Sequence, residues 1–148
     1  MTTRSNEELV EAFTEAMTHE GVESLLTLVA PDCEWMIMAT GEKFRGPDQI
    51  KTLATRSIAA RTHGTGMGLL PFNVFANPDA TRLCWEYVHK AVVTEKWPAS
   101  ANSPAVGTEL EIPIVLICEI DQGKIARIRE YFDLLTVSEP GSHHHLYS

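Results

Sequence analysis

Apolar residues recur three and four positions apart in three segments before residue 63, and this spacing predicts three helices. The first helix is predicted to begin at Ser5, because the sequence SNEE matches a capping box, and to end at Gly21. A short second helix is predicted over residues 22–29. The third is predicted from Pro47, which suits the first position of a helix, to about Thr62.

Most of the remaining chain alternates apolar and polar residues, which predicts β-strands. Strands are predicted over residues 33–39, 69–76, 81–94, 110–120 and 125–137. Pro113 has no N–H for a ladder hydrogen bond, so it indicates a bulge or an edge within its strand. The sequence DQGK at residues 121–124 predicts a tight hairpin turn with a positive φ at Gly123. Residues 41–46 and 95–107 are predicted to form turns and loops.

Helices followed by a meander of long antiparallel strands predict an α+β fold. We expect the N-terminal helices to pack on a strongly curved, mostly antiparallel sheet and to enclose a cone-shaped pocket that suits a small molecule. The 148 residues are enough for one domain with a full core, which we place at residues 1–137. Residues 138–148 are turn-rich and contain three adjacent histidines, so we interpret them as a disordered tail or a tag remnant.

The net charge of −8 argues against nucleic acid or an anionic membrane surface as a partner. The sequence has no signal-peptide pattern and no apolar run of membrane length, so a cytoplasmic location is expected. Cys33, Cys84 and Cys118 are widely spaced, which indicates neither a disulfide framework nor a zinc site. We expect them to be buried as small apolar side chains. Because no metal ligands cluster elsewhere, no metal site is predicted.

Two residues are the first candidates for chemistry. Asp133 follows the aromatic pair Tyr131-Phe132, which predicts a carboxyl group in or at the rim of an apolar pocket, where desolvation would raise its pKa. The alternative is an aspartate that ends the strand and caps a turn. His89 is the one ionisable residue on the apolar face of its strand. It is either a core histidine or the partner of Asp133 in a pair that moves a proton to or from an enolisable carbonyl compound.

Four further residues are candidates for substrate binding. Arg129 and Tyr131 share the alternation of the candidate aspartate along their strand. Arg129 would hold that carboxylate ionised or bind an oxyanion, unless it is a surface arginine paired with a glutamate. Tyr87, on the same face as the histidine, would donate a hydrogen bond to a substrate oxygen or serve in packing. Trp35 would line the pocket or a dimer interface.

Four segments of the sequence together resemble a known family: EELVEAF at residues 7–13, EW with FRG at 34–46, YVH at 87–89, and GKI with REYFD at 123–133. The chain resembles SnoaL-like members of the nuclear-transport-factor-2-like superfamily over residues 5–137. This resemblance implies a cone-shaped α+β barrel with a deep pocket, usually in a homodimer or higher oligomer. It also implies that Asp133 is the acid/base of a cofactor-free ring closure, as in polyketide cyclases, with His89 as a polar pocket residue.

The ending REYFDL is also similar to that of limonene-epoxide hydrolases in the same superfamily. Of the five groups that those enzymes use, Asp133 matches one, whereas Tyr87, His89, Trp35 and Ile37 occupy the other positions. Ketosteroid isomerases need an aspartate that the neighbourhood of Ile37 does not offer. The resemblance thus implies a cofactor-independent acid/base enzyme, of the cyclase or isomerase type, acting on an apolar carbonyl or cyclic substrate. A divergent epoxide hydrolase and a non-catalytic ligand-binding or assembly protein are the alternatives.

Overall fold

The computed structural model of the protein describes residues 4–16, 21–62, 68–79, 81–93 and 105–133. In that part of the chain the helices and strands are α1 Asn6–Glu15, α2 Val22–Leu26, β1 Val29–Ile37, β2 Glu42–Arg45, α3 Gly46–Thr62, β3 Gly68–Ala76, β4 Arg82–Val92, β5 Glu109–Asp121 and β6 Lys124–Tyr131. The strands form one sheet in the order β2-β1-β6-β5-β4-β3. β1 and β6 run parallel and all other neighbours are antiparallel. The predicted α+β class is confirmed, with a mixed sheet that is not closed.

α1 begins where the capping box was predicted. Ser5 Oγ accepts from the backbone N–H of Glu8 at 3.2 Å, and the Glu8 carboxylate accepts from the backbone N–H of Ser5 at 2.7 Å. The helix buries Leu9 and Phe13 in the core. α3 also follows its prediction and adds Ile50 to the same core.

The second helix and the first strand differ from the prediction. α2 ends at Leu26, three residues before the predicted end, and β1 already begins at Val29. The pairing of β1 with β6 has a register shift between Val29 and Glu34. This bulge accommodates Pro31, because a residue without an N–H costs no ladder hydrogen bond there.

One feature of the sheet edges follows from pairing rather than from local sequence. β2 lies in a segment that was predicted to be a turn, and antiparallel pairing with β1 holds it as a strand. The bulge or edge predicted at Pro113 stays a prediction, because β5 lies between β4 and β6 and residues 134–137 lie outside the described part of the chain. Val88 of β4 is the partner of Pro113 on one side, whereas the described part of β6 pairs with β5 only as far as Val115.

The hairpin between β5 and β6 has the predicted tight turn. Gln122 with φ 50° and Gly123 with φ 72° both adopt the left-handed conformation, which is typical of a type I′ turn. β6 ends at Tyr131, short of the predicted end at residue 137. Residues 134–137 lie outside the described part of the chain, as does the predicted tail.

We call the face of the sheet that packs against α1 the inner face. The ring of Phe13 on α1 lies 6.0 Å from that of Trp35 on β1 and 5.0 Å from that of Trp85 on β4, measured between centroids. The buried side chains of the inner face are Cys33, Trp35 and Ile37 on β1, Leu83, Trp85 and Tyr87 on β4, Leu110, Ile112, Ile114, Leu116 and Cys118 on β5, and Ile125 and Ile128 on β6. The opposite, outer face carries ion pairs such as Arg127 with Glu119 at 3.3 Å.

The three cysteines are free thiols. Cys33 and Cys118 are buried as predicted, whereas Cys84 is only partly buried. Burial, reinforced by the charges of Asp32 and Glu34, raises the pKa of Cys33 to about 12. Burial also raises the pKa of Cys118 to about 12. Since the thiolate is the reactive form, both are packing residues rather than nucleophiles.

No helix within the described ranges is long and apolar enough to cross a membrane.

Candidate functional site

Three polar side chains lie on the inner face among apolar neighbours. In the strand register, Tyr87 and His89 of β4 stand opposite Ile114 and Ile112 of β5. Glu130 of β6 stands opposite Leu116, and directly opposite residues of a ladder project from the same face of the sheet. His89 and Glu130 are partly exposed, whereas their partners on β5 are buried. The inner face therefore carries two partly exposed ionisable residues on an apolar wall, and Nε2 of His89 is itself buried.

Glu130 is fixed by a hydrogen bond. Trp35 Nε1 donates to Glu130 Oε2 at 2.7 Å. The indole is 2% exposed, so the donor belongs to the core, while the carboxylate lies between Ile37 of β1 and Leu116 of β5 in the register. A donor aimed at a carboxylate stabilises its charged form. The arrangement can therefore hold an ionised acceptor at an apolar surface.

Sequence reasoning missed Glu130, although the alternation along β6 contained the signal. Ile128 is fully buried and Phe132 packs against the core, so the residue between them shares the inner face. The aromatic pair Tyr131-Phe132 instead drew attention to Asp133. Asp133 lies three residues after Glu130 and beyond the end of β6.

Aromatic packing fixes the side chains around the site. The Trp85 and Tyr87 rings are 4.6 Å apart at an interplanar angle of 31°, and Phe13 meets Trp85 edge-on at 89°. Trp35, predicted to line the pocket or a dimer interface, and Tyr87, predicted to bind a substrate oxygen or to serve in packing, lie on this face and are buried. They form its packed floor rather than an exposed wall.

Of the other three predicted site residues, two lie on the outer face and Asp133 follows the end of β6. Arg129 lies opposite Ile117 on the outer face, with Nη1 3.8 Å from Glu119 Oε1, which is the surface pairing named as its alternative role. Tyr131 lies opposite Val115 and is 42% exposed. Asp133 is exposed, and its predicted role as a pocket acid stays a prediction. Its contact with the histidine stays a prediction.

Two cavities border α1, and none of the predicted site residues lines either of them. A surface groove of about 800 Å³ lies beside α1 and is lined by Arg4, Glu8, Val10, Glu11, Ala12, Glu15, Ser24, Thr27, Leu28 and Val74. A gap of about 10 Å³ remains between α1 and the sheet around Phe13 and Trp85, so the core is closed there. The described residues contain no group of His, Cys, Asp and Glu side chains that could hold a metal ion.

Comparison with known proteins gives one family and a set of similar folds. A family model described as a SnoaL-like domain matches residues 10–128. A candidate polyketide cyclase from Pseudomonas putida superposes with a TM-score of 0.71 at 21% identity, covering 88% of this chain and 93% of that one. A protein with a ketosteroid isomerase-like fold from Catenulispora acidiphila, in complex with trimethylamine, gives 0.69 at 19% identity, with 90% and 91% covered. No curated protein matches the chain.

A third similar structure is an epoxide hydrolase from M. tuberculosis that resembles limonene-epoxide hydrolases. It superposes with a TM-score of 0.63 at 18% identity, covering 87% of this chain and 83% of that chain. At these identities the likeness is one of fold. Together with the family model, it confirms the resemblance that the sequence segments predicted.

Proposed function

The chain belongs to the SnoaL-like family, and on that premise we propose that it is a cofactor-independent acid/base enzyme acting on an apolar carbonyl or cyclic substrate. Family membership supports a small-molecule-binding function, and the acid/base activity is the more specific step. One observation carries it: a carboxylate, Glu130, is held by Trp35 on an apolar face that also presents His89.

The proposed reaction begins with removal of a proton from the carbon next to a carbonyl group. The C–H bond breaks, the proton moves to Glu130, and the electron pair is delocalised onto the carbonyl oxygen as an enolate. His89 would donate a hydrogen bond to that oxygen. On one route the enolate carbon attacks a second carbonyl of the same molecule, which forms a C–C bond and closes a ring, and the resulting alkoxide takes the proton back from Glu130. On the other route Glu130 returns the proton to another carbon of the enolate, which is an isomerisation. Neither route needs a cofactor.

Glu130 replaces Asp133 as the first choice for the acid/base, and Asp133 remains the rival. Glu130 lies on the inner face among apolar neighbours, and its orientation is fixed by a hydrogen bond. A fixed orientation matters because a general base must lie within hydrogen-bond reach of the proton that it removes. Asp133 has the family motif in its favour. Replacing each carboxylate in turn by the amide of the same shape, in Glu130→Gln and in Asp133→Asn, shows which of the two transfers the proton.

The experiment measures binding by thermal shift and conversion by product analysis for the wild type, Glu130→Gln and Asp133→Asn. The panel is a β,γ-unsaturated ketosteroid, an aromatic ketone of polyketide type and limonene oxide. We expect a carbonyl compound to stabilise all three proteins, and Glu130→Gln to lose about 10²–10⁴-fold in kcat. A loss of kcat in Asp133→Asn instead would indicate that Asp133 is the acid/base. A diol from limonene oxide would indicate the epoxide-hydrolase alternative, and binding without conversion would indicate a binding protein.

The predicted homodimer and the cytoplasmic location remain proposals. Tyr131 and Phe75 are exposed on the outer face of the sheet, which would suit contact with a second copy of the chain. Light scattering on the purified protein gives the molecular mass and decides between monomer and dimer.

A further inference from the structure

We propose that Trp35 is the positioning residue of this site, whose indole N–H selects the ionised form of Glu130 and fixes its direction on the inner face. The inference rests on the proposed function, because positioning matters only if Glu130 transfers a proton. It concerns an interaction of this chain alone, between residues 95 positions apart in the sequence.

Burial and aromatic packing hold the indole in place. Trp35 is 2% exposed and its ring lies 6.0 Å from that of Phe13, so it is fixed before any ligand arrives. Parallel pairing places Trp35 opposite Ile128 and Ile37 opposite Glu130, so the indole reaches diagonally across the β1–β6 ladder. A hydrogen bond made in this way holds the carboxylate to one side of its strand.

The chemistry of the donor favours one protonation state. An indole N–H donates and cannot accept, so it can bond to a carboxylate oxygen but cannot receive a proton from a carboxylic acid. A hydrogen bond to the charged form favours ionisation. The bond therefore keeps Glu130 available as a base against the opposing effect of its apolar surroundings.

The strand residues directly opposite this carboxylate are apolar. Its neighbours across the ladders, Ile37 on β1 and Leu116 on β5, are uncharged. On β4 the titratable groups of the inner face are Tyr87 and His89. Among the described residues, the Trp35 indole N–H donates directly to the Glu130 carboxylate.

The chain supplies a matched control. Trp85 lies on the same face, is 1% exposed and packs against the same Phe13 ring at 5.0 Å. Its indole N–H is buried without a hydrogen-bond partner. Trp85→Phe therefore removes the same atoms as Trp35→Phe but no hydrogen bond to Glu130, and a purely structural effect of losing an indole should appear in both variants.

The deciding experiment is a ¹³C NMR titration of the Glu130 carboxyl group, identified by its absence in Glu130→Gln. We expect its midpoint to lie about one pH unit higher in Trp35→Phe than in wild type, and to be unchanged in Trp85→Phe. The indole N–H resonance of Trp35 should shift with the same midpoint. Equal midpoints in the three proteins, or an indole resonance that ignores the ionisation of Glu130, would overturn the inference.

Catalysis is measured separately, so that the proposed function can fail by itself. The probe is nitrobenzisoxazole, from which a base removes the ring C–H proton while the N–O bond breaks to give a cyanophenolate. We expect Trp35→Phe to lower kcat about tenfold, to move the acidic limb of the pH profile upward, and to change KM little. A wild type that leaves the probe unchanged would count against the proposed function, while the titration would still decide the role of Trp35.

Discussion

Trp35 Nε1 and Glu130 Oε2 lie 2.7 Å apart and join β1 to β6 on the inner face of the sheet. β1 and β6 are the one parallel pair among the described strands. The bond therefore ties a buried donor of the first strand to a partly exposed acceptor of the last. This hydrogen bond is also the reason why Glu130 is the best candidate for the acid/base.

The first prediction concerns the stability that this bond provides. Glu130→Ala leaves the buried indole N–H of Trp35 without its acceptor, which should cost about 1–3 kcal/mol in free energy of unfolding. Glu130→Gln keeps an acceptor oxygen and should cost less. Urea denaturation measures both.

The control for this prediction is Glu111→Ala. Glu111 makes a surface ion pair with Lys90 at 3.1 Å, so its loss should change the free energy of unfolding by less than about 1 kcal/mol. Equal effects of Glu130→Ala and Glu111→Ala would mean that the bond to the indole adds no stability.

Packing against the same indole gives the second prediction. Ile128 is fully buried and stands opposite Trp35 on one side and Cys118 on the other. Ile128→Ala should lower the free energy of unfolding by about 2–5 kcal/mol, because it leaves a cavity at the centre of the inner face. Val106→Ala, at a residue 60% exposed, is the control and should change it by less than about 0.5 kcal/mol.

The third prediction concerns the hairpin between β5 and β6. Gly123→Ala should cost about 1–2 kcal/mol, since a Cβ is disfavoured at φ 72°. Gln122→Asn should be neutral or stabilising, because asparagine tolerates the left-handed conformation better than glutamine does. Thermal unfolding of the two variants measures whether each substitution stabilises or destabilises the protein. A stabilising Gly123→Ala would mean that the turn relaxes to another type.

The features of the fold that depend on local chemistry could be predicted from the sequence. The capping box at Ser5, the turn at Gly123 and the buried alternation of β5 each need only a few neighbouring residues, and each is found where it was predicted. β2 depends on its pairing with β1, and the early start of β1 depends on a bulge against β6. Such non-local pairings leave no clear trace in a short segment.

The candidate site likewise has one part that could be predicted from the local sequence and another that depends on contacts between strands. The inner-face position of His89 follows from the alternation of its own strand, and the structure places it there. The alternation of β6 could also have identified Glu130, but its importance depends on a donor from another strand. The exposure of Asp133 depends on where β6 stops, at Tyr131, which the aromatic pair alone did not indicate.

The fourth prediction concerns thiol reactivity. With a pKa of about 12 in place of 9.0, Cys33 and Cys118 hold about a thousandfold less thiolate near neutral pH than an ordinary cysteine. Cys84 is partly exposed, and burial and the charge of Glu86 raise its pKa. A disulfide reagent should therefore modify Cys84 slowly and the other two only after unfolding. Rapid modification of two or three thiols in the folded protein would contradict the burial.

The same thiols predict how stability changes at alkaline pH. Their pKa is raised in the folded state above the reference value of 9.0, so the stability they contribute is complete below pH 9 and is lost as the pH rises toward 12. Each buried thiol should lower the free energy of unfolding by about 1.4 kcal/mol per pH unit in that range. Urea denaturation at about pH 8 and pH 10 measures the loss in wild type and in Cys118→Ala. The variant is less stable at both values, but its loss between them should be smaller by about 1 kcal/mol, because one ionising thiol is gone. Equal losses would mean that Cys118 ionises as easily in the folded protein as in the unfolded chain.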